Sequence, residues 1–275
     1  MSVTLNEESA AERATRRSQR VLFDDVAGLY AETRPGYPRE LVEFIAETAG
    51  LTRGAPVLEI GCGTGQLTGH LAALGLRVTA VDVGASLIAA AREAVAREPA
   101  AGGRVVFRVG AFEDLELPDG CFELIIAGAA FHWIDPEVRF AKSARLLRPG
   151  GWLALTGSSD RYDEPLGTVL AGLAAARGDI NGSWARPLDG DVMTGTGLFA
   201  TPVERSWSRR SWRTPEEVVG VENTRALSLS WPPDVRAEFN AELRGYLRGR
   251  SRVGCTVWSP VTMAQGRLGA RPAPC

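Results

Sequence analysis

The 275 residues suit one large α/β domain with an added cap, and 45% hydrophobic with 23% charged residues is an ordinary globular balance. A net charge of -2 excludes a general nucleic-acid-binding surface, and no apolar run approaches the about 20 residues that span a bilayer. Residues 1–20 are polar and charged, without the apolar stretch of a secretory leader, so a cytoplasmic protein with a flexible lead-in is expected. Cys62, Cys121, Cys255 and Cys275 lie far apart without paired spacing; reduced thiols are expected, with neither a disulfide frame nor a metal site.

From Val21 the pattern changes. Phe23, Val26 and Tyr30 lead into Arg34-Pro-Gly-Tyr-Pro, then an amphipathic helix over 39–49; Pro35 and Pro38 end one helix and set the turn before the next. Val57, Leu58 and Ile60 form a short apolar run suited to a buried parallel strand. Gly61, Gly63 and Gly65 then make a turn without Cβ atoms, so the backbone can approach a ligand and enter a helix at Gln66. A second strand over 77–83 ends in Asp82. A glycine loop after one strand and an acid after the next is an arrangement for gripping a nucleoside, the carboxylate accepting from the ribose hydroxyls. Gln66 stands where a dinucleotide fingerprint needs its third glycine, and Glu59 would repel a pyrophosphate; a cationic ligand tolerates that charge.

The string Glu59-Ile-Gly-Cys-Gly-Thr-Gly closely resembles motif I of the class I S-adenosylmethionine-dependent methyltransferases. The resemblance implies a Rossmann-like, seven-stranded α/β sheet whose last strand is antiparallel, with helical cap elements, and S-adenosyl-L-methionine as cofactor. It assigns cofactor contacts to Glu59, Gly61, Gly63, Asp82 and Val83. Residues 21–50 resemble the N-terminal helical lid of the methyltransferase-11-like subfamily, in which the positions matching Tyr30 and Arg34 lie near the methionine end. A guanidinium pairs well with that carboxylate; a packing tyrosine and a surface arginine are the alternative.

Residues 51–157 read as the cofactor-binding core. A helix over 85–97 and a strand over 104–109 precede Gly110-Ala-Phe-Glu-Asp, where the family usually has Gly-Asp-Ala-Glu-Asp. Ala111 thus replaces an aspartate that can bind the adenine amino group, leaving adenine to backbone groups and to Phe112 against the ring, unless Phe112 is a core residue. Leu117-Pro-Asp-Gly is a turn, and 122–127 is a fourth strand that brings Ala127 to the reacting centre. Asp135 caps and Pro136 opens a helix to 147, which Arg148-Pro-Gly-Gly ends before strand five. Residues 104–156 are similar to the family in order and spacing.

Residues 158–265 read as cap insertions plus the strands that complete the sheet. They comprise a helix over 162–177, an inserted loop over 178–200 holding Trp184, and a strand over 203–212. A Thr214-capped helix, a helix over 233–248 and an antiparallel strand over 253–263 follow, and 266–275 is expected to be a flexible tail.

Methyl transfer is an in-line displacement that needs alignment, exclusion of water and, for a protonated acceptor, a base. His70 is read as structural. His132, after strand four at the lip of the transfer site, has two open roles, general base or pocket wall. The expected activity is methylation of a small molecule, oxygen slightly favoured, of the kind found in bacterial secondary metabolism. A cyclase or rearrangement enzyme on the same scaffold is the alternative. A monomer or homodimer is expected, with no nucleic-acid or membrane partner.

Overall fold

The computed structural model describes residues 10–97, 103–178 and 190–267. Three helices lead the chain: α1 (Ala10–Val21), α2 (Ala27–Thr33) and α3 (Arg39–Thr48). Alternation follows through β1 (Pro56–Ile60), α4 (Gln66–Ala73), β2 (Arg77–Asp82), α5 (Ala85–Arg97), β3 (Arg104–Val109), β4 (Phe122–Gly128), α6 (Pro136–Leu146) and β5 (Leu147–Thr156). The remainder is β6 (Ser159–Tyr162), α7 (Leu166–Ala175), α8 (Gly190–Gly195), β7 (Val203–Arg213), α9 (Pro215–Asn223), α10 (Ala226–Ser230), α11 (Pro233–Leu247) and β8 (Val253–Gln265).

The strands form one mixed sheet in the order β3-β2-β1-β4-β5-β8, with β1 to β5 parallel and β8 antiparallel to β5. β8 is the spine of the second half. One edge pairs with β5 over Val261–Gln265 and then with β6 over Cys255–Trp258; the other pairs with β7 along its length. The eight strands therefore fill seven sheet positions, as the Rossmann-like expectation requires, because β6 resumes the line of β5 after Gly157 and Ser158. The helix expected over 162–177 starts only at Leu166, with Pro165 as its N-cap. Four residues are too few to reveal strand periodicity, so β6 had no signature of its own.

Side chains alternate across the sheet as a twofold period demands. Along β4, Leu124 and Ile126 join the core under α3 and α4, while Ile125 and Ala127 join the opposite core with Phe112 and Phe131. A third cluster joins the cap to the start of β8: Leu166 and Leu170 of α7, Val218 and Val219 of α9, Phe239, Leu243 and Leu247 of α11, and Val253. Each such side chain, fully buried, contributes roughly 2 kcal/mol. The expected caps form: the Asp135 carboxylate accepts from Glu137 N at 3.0 Å, and Thr214 and Glu217 make a reciprocal capping box.

Three expectations need correction or fall outside the description. The lead-in is helical from Ala10, and α1 is fastened to the core by Arg16 and Arg20, whose role no sequence pattern announces. Cys121 is disulfide-bonded, against the expectation of a reduced thiol, while Cys62 and Cys255 are buried free thiols. Of the loop expected over 178–200, residues 179–189 lie outside the described residues, whereas Gly190–Gly195 form α8 with Met193 buried in the core; residues 268–275 of the tail also lie outside. No helix among those residues is long and apolar enough to cross a membrane.

β6 and β7 are also clamped across β8. The buried Asp160 carboxylate accepts from Arg213 Nε at 3.0 Å and Nη2 at 3.3 Å. Removing one member of a buried pair strands the other. Asp160→Ala is expected to lower the unfolding free energy by about 3 kcal/mol, and adding Arg213→Met to recover more than half of it, read from urea midpoints.

Candidate functional site

The site lies at the carboxyl ends of β1, β2 and β4. After β1 the chain turns through Gly61 (φ 69°), Gly63 (φ 53°) and Gly65 (φ 87°), all in the left-handed region that favours glycine. A Cβ on Gly61 would stand 2.2 Å from the Ala130 Cβ, so glycine there lets the β4 turn close onto the loop. A Cβ on Gly63 would meet nothing within 4 Å, leaving the front of the loop open. Opposite stands Asp82: Oδ2 accepts from Gly63 N at 2.9 Å and Oδ1 from Gly84 N at 3.0 Å. Burial raises its pKa, and the N–H groups of Gly84, Gly63 and Val83 pull against that rise.

Two adjoining cavities open here. A cleft of about 100 Å³ runs along the loop, and Tyr30, Gly61, Gly63, Asp82, Val83 and Phe112 all line it. A cavity of about 1140 Å³ extends under the cap, lined by Arg34, Ala127 and His132 among others. The two share Phe23, Tyr30, Ala129, Ala130 and Trp133. The shared wall is aromatic: Phe23 meets Tyr30 edge-on at 6.1 Å and Trp133 at 5.8 Å. Two expected contact residues line neither cavity. Ala111 is one; the other is Glu59, which is buried beneath the loop and accepts from Thr68 Oγ1 at 2.6 Å. Arg34 lies over the Tyr30 ring and donates to Thr224, from Nε to Oγ1 at 2.8 Å and from Nη2 to the carbonyl at 2.6 Å.

Residues the sequence did not flag complete the cleft. Glu113 and Arg20 pair at 2.8 Å on its rim, and Arg20 Nη1 reaches the Trp133 carbonyl at 3.4 Å, so α1 roofs the cleft. Glu113 was visible in Gly110-Ala-Phe-Glu-Asp but had no partner there to give it meaning. Ala129 holds φ 54°, a conformation no other non-glycine residue shares among the described residues; its N–H donates to Thr156 O at 2.8 Å. Such strain persists where the surroundings over-determine it, and here it sits where the cavities meet.

Burial sets the protonation of the site. His132 packs on Trp133 with ring centroids 4.8 Å apart; desolvation, then the Arg139 charge, push its pKa down to about 4. The imidazole is therefore neutral near pH 7, with a free lone pair but weak basicity. Burial lifts the Glu59 carboxyl to about 8, opposed by the Thr68 hydrogen bond and aided by Asp82.

In the unfolded chain Glu59 titrates near 4.5, so the folded protein holds its proton through the window from 4.5 to about 8. The stability this supplies is fully present below the lower value and is lost as pH rises through the upper one. Wild-type stability is expected to fall by up to about 1.4 kcal/mol per pH unit from this group. Glu59→Gln should flatten that slope in urea unfolding at pH 5 to 9.

Comparison with known proteins agrees with this geometry. The family described as "methyltransferase domain" matches residues 58–155. An uncharacterised methyltransferase of Mycobacterium tuberculosis is 30% identical over 233 residues, covering 85% of this chain and 88% of the relative. A malonyl-acyl-carrier-protein O-methyltransferase of Pectobacterium atrosepticum is 33% identical over 142 residues, half of each chain (50% and 52%). The solved structure of a candidate type II methyltransferase from Anaeromyxobacter dehalogenans has a TM-score of 0.61 at 28% identity, covering 87% of this chain and 99% of that one.

Proposed function

The chain belongs to the class I S-adenosylmethionine-dependent methyltransferases, and we propose that it methylates an oxygen of a small molecule held in the cavity under the cap. The observation that carries this reading is the junction. A narrow cleft along the glycine loop and a larger cavity meet at Tyr30, Ala129 and Trp133, beside His132.

The cleft fits S-adenosyl-L-methionine by its donor set. Asp82 receives backbone N–H groups on both oxygens, and a carboxylate has about four lone-pair sites, so it can still accept from a ribose diol. Val83 and Phe112 offer apolar faces to a base, and no Cβ stands in front of Gly63. Arg34, which burial pushes below its usual pKa range, gains from an anionic partner such as the cofactor carboxylate. When bound, the cofactor supplies a methyl group on a sulfonium, a cation suited to the aromatic wall of Phe23, Tyr30 and Trp133. Glu59, buried beneath the loop and bonded to Thr68, supports the loop on which the cofactor would lie.

On the acceptor side, neutral His132 can take a proton. A base this weak favours acidic hydroxyls such as phenols, enols and carboxylic acids over simple alcohols. A cavity of about 1140 Å³ accommodates acceptors at or above the usual range for small molecules, the size class of many secondary metabolites.

Asp82→Ala is expected to abolish S-adenosylmethionine binding in a calorimetric titration while circular dichroism is unchanged; near-normal affinity would sink the ribose assignment. With an acceptor identified by a homocysteine-release screen, the rate assigned to His132 should stay level from pH 8 to 5 and fall through about 4 as the imidazole takes a proton. His132→Ala should cut turnover by ~10²-fold with cofactor affinity retained. Unchanged turnover would make it a wall.

A further inference from the structure

Lysines and arginines together number 31 in this chain, and Lys142 is the only lysine among them. It stands on α6, where its ammonium donates to Leu115 O at 2.6 Å and to Glu113 O at 3.1 Å. No backbone N–H among the described residues donates to either carbonyl. The same ammonium lies 5.1 Å from the centre of the Phe112 ring. Burial draws its pKa down and the Arg145 charge adds to that, while Asp114, Glu113 and Glu116 oppose the fall.

These contacts converge on one segment of the site. Of the turn after β3, Gly110, Phe112 and Glu113 line the cleft, whereas Lys142 lines neither cavity and so reaches the ring from behind the wall. Ala111 lines neither cavity as well, so side-chain contact between this turn and a base falls to Phe112 and Glu113. Phe112 belongs to no helix or strand, and its ring is placed by core packing and by Lys142. The segment has a second fastening: the Glu113 carboxylate accepts from Arg20 Nη1 at 2.8 Å and from Asp135 N at 3.1 Å. An ammonium spreads three donors tetrahedrally, so two can meet carbonyls two residues apart while the charge faces a ring. A guanidinium is larger and presents its donors in one plane. We propose that Lys142 is a positioning residue for cofactor binding: by holding the carbonyls of Glu113 and Leu115 and the back of the Phe112 ring, it fixes the wall against which the cofactor's base packs. This rests on the reading that the cleft holds S-adenosyl-L-methionine with its base beside Phe112.

The test is a double-mutant cycle on affinity for S-adenosylhomocysteine, titrated calorimetrically well below the melting temperature of every variant. Lys142→Met keeps the stem and removes the charge and its donors; Phe112→Leu removes the ring. Lys142→Met is expected to weaken binding about tenfold, the worth of one charged hydrogen bond. If it acts through the wall, the double variant should lose clearly less than the product of the two single losses. A lysine with a purely structural role would lower the melting temperature and leave affinity at the titration temperature unchanged. Should Lys142→Met fold poorly, Lys142→Gln, which keeps a donor on a similar stem, carries the test with a smaller loss expected. Wild-type affinity in the folded variant, or single losses that multiply in the double variant, would overturn the proposal. Failure of the wild type itself to bind S-adenosylhomocysteine would remove the cofactor reading, and this proposal with it.

Discussion

The carboxylate of Asp82 takes one backbone N–H from each of the two loops that face it, Gly63 on one side and Gly84 on the other. Those bonds hold the ends of β1 and β2 at a fixed separation, and the cleft exists because they are kept apart and parallel. The second loop is fixed in turn from above: Asp24 accepts from Leu87 N at 2.9 Å at the start of α5, and Gly84 leaves it room. The N-terminal segment is thus attached to one of the two loops that Asp82 holds.

Two acids within this small region illustrate how environment divides labour. Asp82 receives several backbone N–H groups, which oppose its desolvation; Glu59 receives a single hydroxyl and stays protonated well above its usual range. One therefore has acceptor oxygens already held in place for a ligand, and the other keeps its proton beneath the loop.

The first half of the fold was legible because its rules are local. A short apolar strand, glycines forced by close approach at 61 and 65, an acid at the end of β2 and the Asp135 and Thr214 caps all declare themselves within a few residues. What escaped reading depends on partners distant in sequence. Arg20 acquires a role by meeting Glu113, β6 by meeting β8, and the left-handed Ala129 is tied through its amide to Thr156 of β5. Glu59 was plain from its motif position, whereas its bond to Thr68 of α4 follows only from the alternation of β1.

The place of β8 in the sheet bears on how the molecule comes into being. The spine between β5, β6 and β7 is also the most C-terminal of the strands, so β7 and β6 have no hydrogen-bonding neighbour until 253–265 arrive. During synthesis from the N-terminus, the parallel half and its cleft can assemble while the edge of β5 waits open. The two halves of the site thus differ in age within each new molecule: the nucleoside side can form early, and the chamber that would receive the acceptor closes only with the last strand.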